Sequence, residues 1–156
     1  MFKVKPLFTK LSDIPEPSVG APIPVITSGE HDTTLCYYME ASNSEWDGET
    51  SRMVGKDSIE DYVAVIKFKG TQESRFGPPD ENEVCFHPIL EPLMKNDYYW
   101  AFEFHDGKGI SSYAKHKTSK HYFFAFHDSS FEIIADSYTV KIVEKSSVID
   151  VLRLEI

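Results

Sequence analysis

The residues with the greatest chemical potential sit in one aromatic stretch near the C-terminal third of the chain. His121-Tyr122-Phe123-Phe124-Ala125-Phe126-His127-Asp128, then Ser129-Ser130, then Phe131-Glu132-Ile133-Ile134-Ala135-Asp136 alternates as two strands around a tight turn. With Ser129-Ser130 as the loop, His127 faces Glu132 across the ladder. A carboxylate beside an imidazole stabilises the charged ring and suits it to act as a general base, a metal ligand or a pH-sensitive contact. An ordinary cross-strand ion pair is the competing and commoner reading. Asp128 is placed to cap the turn. Ser-Ser is not the preferred pair for a primed turn, so a loop longer than two residues is also open.

Other constellations are weaker. His121 and His127 share a face but stand six residues apart, about 20 Å along a strand, too far for one metal ion. Glu103 and His105 are two apart, about 6.6 Å, and read as exposed polar positions of an amphipathic strand. Ser112-Tyr113-Ala114-Lys115 matches a Ser-x-x-Lys pattern that arises easily by chance. Gly-rich phosphate cradles, a Gly-x-Ser-x-Gly elbow, His-Glu-x-x-His and Cys-x-x-Cys do not occur in the sequence. Cys36 and Cys85 lack metal-ligand spacing and read as two reduced, partly buried thiols. No metal and no cofactor is predicted.

The elements that must hold these residues are strands. In the hairpin, Tyr122, Phe124, Phe126, Phe131, Ile133 and Ala135 build one apolar face, and His121, Phe123, Ala125, His127, Glu132 and Ile134 a mixed one that needs partial cover. Thr33 to Ala41, Asp61 to Lys69, Asp97 to His105 and Tyr138 to Glu144 read as further strands. Asp61 to Lys69 is the clearest of them, half-buried with Tyr62, Ala64, Ile66 and Phe68 on one face. Residues 1 to 30 hold five of the nine prolines, which predicts an extended arm over a single domain of 156 residues. Ser42 to Ser58 and Gln72 to Asn82 read as loops, and Val84 to Met94 permits a helical turn or two. Val148 to Ile156 is a last strand or a short helix begun by Ser146 or Ser147. The fold expected is mainly β: an antiparallel sheet or sandwich of six to eight strands with one or two short helices, or else an α+β arrangement.

Hydrophobic residues are 41% and charged residues 26% of the chain, values that disfavour disorder and membrane spans alike. The formal charge of -9 is uneven: residues 1 to 110 carry 10 basic and 19 acidic side chains, and 111 to 156 carry 6 of each. Such a surface repels a phosphate backbone and attracts a basic protein, so nucleic acid is disfavoured as a partner.

Two segments carry a resemblance. Arg75-Phe76-Gly77-Pro78-Pro79-Asp80-Glu81-Asn82-Glu83 followed by His87-Pro88, and the hairpin from His121 to Ala135, resemble a group of small uncharacterised bacterial proteins. Those proteins carry F-G-P-P-N-D-E, then H-P, then H-Y-I-F-x-F-H-D-x-T-F-E-x-x-A. This chain departs from them at Asp80-Glu81-Asn82. The resemblance implies a bacterial or phage cytoplasmic protein and brings no activity with it. It singles out Arg75, Pro78, Glu83, His87, His121, His127, Asp128 and Glu132. The function expected is a non-enzymatic binding or regulatory protein, immunity- or antitoxin-like, that engages a basic protein partner through an acidic surface. The alternative is a small-ligand-binding protein or hydrolase using Arg75, His87, His121, His127 and Glu132. A homodimer through a sheet edge is compatible with either.

Overall fold

The structure, a computed structural model, describes residues 8–40, 53–77, 100–104, 119–126 and 128–156. Among these the protein is mainly β, with nine strands in two antiparallel sheets and one short helix. The chain divides into two compact units, Met1–Ile14 with Lys69–Ser137, and Pro15–Phe68 with Tyr138–Ile156. No described helix is long and apolar enough to cross a membrane.

The first unit is built on a five-stranded sheet of β1 (Phe8–Lys10), β6 (Ala101–Phe104), β7 (Lys120–Ala125), β8 (Ser130–Ala135) and β5 (Glu73–Gly77), in that spatial order. Its centre is the hairpin of β7 and β8, where Phe124 pairs with Phe131 and Ala125 with Ser130. Both faces are buried because aromatic and β-branched residues occupy both pleats. One face stacks Phe124 on Phe131, with ring centroids 6.0 Å apart. The other packs Phe102, Phe104, Phe123 and Ala125, with half-buried Phe8 against them. Each such ring, fully buried, contributes about 2–3 kcal/mol of transfer free energy. Gly70 turns the chain at φ +68°, and an added Cβ there would lie 2.1 Å from an Asp136 oxygen, so glycine is required on both conformational and steric grounds.

The second unit holds a four-stranded sheet in the order β2 (Val25–Ser28), β3 (Asp32–Tyr38), β4 (Glu60–Lys69) and β9 (Ser137–Ser146). Helix α1 (Val148–Glu155) follows β9. Ser147 caps it: extended at φ -100° and ψ 153°, its hydroxyl accepts from the Asp150 N–H at 3.2 Å. The helix buries Val148, Val151 and Leu152 against Cys36, Tyr38, Val63 and Val65. Glu155 reaches back to Lys67 at 2.7 Å and Lys141 at 2.8 Å, which fastens the last turn to β4 and β9.

Several expectations are adjusted by this architecture. Residues 73 to 77 read as loop by their charge yet form edge strand β5, paired with β8. The proline-rich stretch read as an arm supplies β1 to one sheet and β2 to the other, so the strand count exceeds six to eight. Val63 to Ile66 is buried on both faces of β4 rather than on one. The segment after Ser147 is a helix. Val84 to Met94 lies outside the described residues.

Candidate functional site

In the ladder of β7 and β8, Glu132 stands opposite Phe123, and Ser130 opposite Ala125. The first strand therefore ends at Ala125 and the second begins at Ser130, with the Phe126 N–H donating to the Ser129 carbonyl at 2.8 Å. This corrects the two-residue loop, and with it the pairing of Glu132 with His127: the partner position moves from 127 to 123, a shift of four. Because four is even, every side chain keeps its predicted face.

The new register gives Glu132 a different histidine. His121 lies two residues from Phe123 on the same face, so it meets Glu132 diagonally, a separation that long side chains bridge. His121 Nε2 is 3.2 Å from Glu132 Oε2, and the two side chains are only 3% and 5% exposed. Phe104, opposite His121 in β6, leans on the imidazole with ring centroids 4.8 Å apart. Which of the two atoms donates in this contact is set by the tautomer of the imidazole. Among the described residues, buried Nδ1 finds no hydrogen-bond partner.

Arg75 joins this neighbourhood from the edge. It is the direct ladder partner of Glu132 in β5, on the same sheet face, and its side chain is exposed. Three of the sequence candidates, Arg75, His121 and Glu132, are thus brought onto one face by three adjacent strands. His87, His127, Pro78 and Glu83 lie outside the described residues, as do Ser112 to Lys115 and His105. Asp128 is exposed at the turn. Among the described residues no group of three or more His, Cys, Asp or Glu side chains is placed to hold a metal ion.

Chemically, the pair is arranged to hold a proton in a fixed place inside an aromatic layer, with the Glu132 carboxylate hydrogen-bonded rather than left alone in a medium of low dielectric. Tyr122, on the opposite face of β7, is pushed up to about 12 by burial, with the Glu103, Asp13 and Asp136 carboxylates adding to the effect. It therefore stays a neutral phenol. Burial, with Glu155 assisting and Lys67 opposing, also pushes the Cys36 thiol up to about 12, which removes it as a nucleophile at neutral pH.

Sequence reasoning missed a second polar node. The Tyr38 hydroxyl is positioned to donate to the carbonyls of Gly55, at 2.8 Å, and Ser58, and it accepts from the Val148 N–H at 3.4 Å. Its partners are 17, 20 and 110 residues away. Such long separations leave no local pattern. A tyrosine in a strand with buried neighbours was the only available signal.

No family model, curated protein or solved structure matches the chain.

Proposed function

We propose that this protein is a non-enzymatic binding or regulatory protein, immunity- or antitoxin-like, which engages a basic protein partner through its acidic surface in a bacterial cytoplasm. The observation that carries this reading is the distribution of carboxylates. Among the described residues Glu132 is the one buried acidic side chain, and the others, Asp13, Glu16, Asp57, Glu144 and Asp150 among them, reach the surface on a chain of formal charge -9. Surface charge of one sign steers an oppositely charged partner and raises the association rate. The test is retention on immobilised polylysine, read as a function of salt. Binding that falls steeply between about 0.05 and 0.5 M salt is the expected result, and salt-independent or absent retention overturns it.

A second reading, a small-ligand-binding protein or hydrolase on the face of Arg75, His121 and Glu132, is favoured by the unpartnered Nδ1 of His121. Its test is a screen of small anions and amides by thermal shift, comparing the wild type with His121→Phe. Stabilisation confined to the wild type supports it, and equal response of both proteins overturns it.

A further inference from the structure

Among the described residues four strands stand at sheet edges, β1 and β5 in one sheet and β2 and β9 in the other. An edge strand presents unpaired backbone N–H and C=O groups, and folded proteins blunt such edges by shortening them or by placing proline and charge along them. β1 and β2 are three and four residues long, and Pro24 immediately precedes β2. β5 is five residues long, carries Glu73 and Arg75, and runs into Pro78-Pro79. β9 is different. It runs for ten residues without proline or glycine, and its one backbone irregularity is Lys145, at φ +47° beside its end. Among the described residues β4 is its one hydrogen-bonded neighbour, which leaves the other side of the strand open.

Side chains of β9 alternate between two faces. Lys141 reaches Glu155 of α1 at 2.8 Å, and Val143 packs against the cluster that α1 covers, which sets the odd positions on the helix side. Tyr138, Val140 and Ile142 form an apolar row on the other side, where Tyr138 lies against Phe68 with ring centroids 6.2 Å apart. Tyr138 and Val140 are half-buried, and Ile142 is 49% exposed. The charged residues of the strand, Lys141, Glu144 and Lys145, are of both signs, so two copies of this edge meet without a concentrated charge of one kind.

We propose that β9 pairs with β9 of a second copy of this chain, antiparallel and centred on Val140, so that the two four-stranded sheets become one continuous sheet. A two-fold axis through an antiparallel ladder sets one residue opposite its own copy, which leaves few registers to choose from. Centring on Lys141 sets like charges face to face, and centring on Val143 sets Lys141 opposite Lys145; both are destabilising. Centring on Ile142 sets Val140 opposite Glu144, and centring nearer either end shortens the ladder. Centring on Val140 sets Tyr138 opposite Ile142 and Thr139 opposite Lys141, so the apolar rows of the two copies meet along their whole length. Aromatic and β-branched pairs of this kind stabilise a ladder. Lys141 keeps Glu155 as its partner in each copy. The inference is independent of the basic-partner reading.

The experiment is sedimentation velocity of the full chain at low and high salt, over concentrations from about 10 to 500 µM, the range suited to a small interface. A monomer–dimer equilibrium is expected that tightens as salt rises, because two chains of charge -9 repel one another less when screened. Binding of a basic partner has the opposite salt dependence, so the two readings fail separately. Ile142→Lys is expected to weaken the dimer about tenfold by setting a cation against Tyr138 of the other copy. Val140→Cys is expected to form a disulfide-linked dimer on mild oxidation, since side chains directly opposite in a ladder have Cβ atoms about 4.5–5.5 Å apart. Thr139→Cys, which lies diagonal to its own copy, is expected to add no cross-link beyond that of the wild type oxidised in parallel. Circular dichroism checks that each variant folds. A chain that stays monomeric throughout, a dimer indifferent to Ile142→Lys, or cross-linking that does not favour Val140→Cys over Thr139→Cys overturns the proposal.

Discussion

Each unit contains a buried polar node among its described residues, and the two are built on opposite plans. Tyr38 presents a neutral hydroxyl to three backbone groups and joins β3, the Gly55–Ser58 turn and the start of α1. His121 and Glu132 meet through a contact between ionisable groups, with Nδ1 left over among the described residues. The first plan ties distant backbone together at small electrostatic cost. The second places a carboxylate in an aromatic layer, where removing its partner is expensive although the pair as a whole adds little. A buried polar contact thus has to be judged by what is stranded when half of it is taken away.

The largest expected effect follows from that asymmetry. His121→Ala removes the imidazole from beside the buried Glu132 side chain and is expected to lower unfolding free energy by about 3–5 kcal/mol, measured by urea denaturation. The double change His121→Phe with Glu132→Leu recovers most of the loss, because no charge then stays buried. If the double variant is as unstable as the single one, the pair is more than a locally neutral contact. Tyr38→Phe removes the hydroxyl from the Ser58 carbonyl and the Val148 N–H, while the Gly55 carbonyl keeps the Ser58 N–H, and is expected to cost about 2 kcal/mol, with hydrogen exchange accelerating at Ser58 and Ile149. A uniform increase across both units would break the assignment of this node to the second unit.

Glu155 sharpens the contrast between neutral and ionised nodes. The hydrogen bonds from Lys141 and then Lys67 hold its carboxyl below the usual carboxylate range. A depressed folded-state value means its stabilisation is present above the unfolded value, near pH 4.3, and is lost as pH falls through the folded one. Glu155→Gln is expected to cost about 1 kcal/mol at pH 7 and to flatten stability against pH in the acid range, whereas Tyr38→Phe leaves that slope unchanged. The smallest effect concerns Cys36. With its thiol pushed up to about 12 and wholly buried, it is expected to resist a thiolate-directed reagent at pH 8 in the native state and to react in urea, with the label located by peptide mass spectrometry.

The central strands and edge strand β9 were legible in the sequence, and the other three edges were not. β4, β7 and β8 announce themselves through runs of β-branched and aromatic residues, because each must fill a pleat with apolar atoms, and β9 through its alternation alone. The strands missed, β1, β2 and β5, all lie at sheet edges. An edge strand pairs on one side only, so proline and charge are tolerated there, and Arg75 can sit at the centre of β5. That omission hid the ladder contact between Arg75 and Glu132. The candidate face was readable from alternation alone, since parity survives an even slip of register. The identity of the histidine beside Glu132 was not, because it depends on a turn whose length Ser129-Ser130 does not specify. The capped start of α1 was visible in Ser146 or Ser147, but its choice over a strand depended on Val148, Val151 and Leu152 meeting a tertiary surface.

The hydrogen bond from the Val148 N–H to the Tyr38 hydroxyl spans 110 residues of chain. During synthesis, then, Cys36, Tyr38, Val63 and Val65 leave the ribosome before the helical residues that cover them exist. At the usual elongation rate of about 5–20 residues per second, that apolar sheet face waits for several seconds. The nascent chain therefore passes through an interval in which one half of a core is displayed to chaperones and proteases.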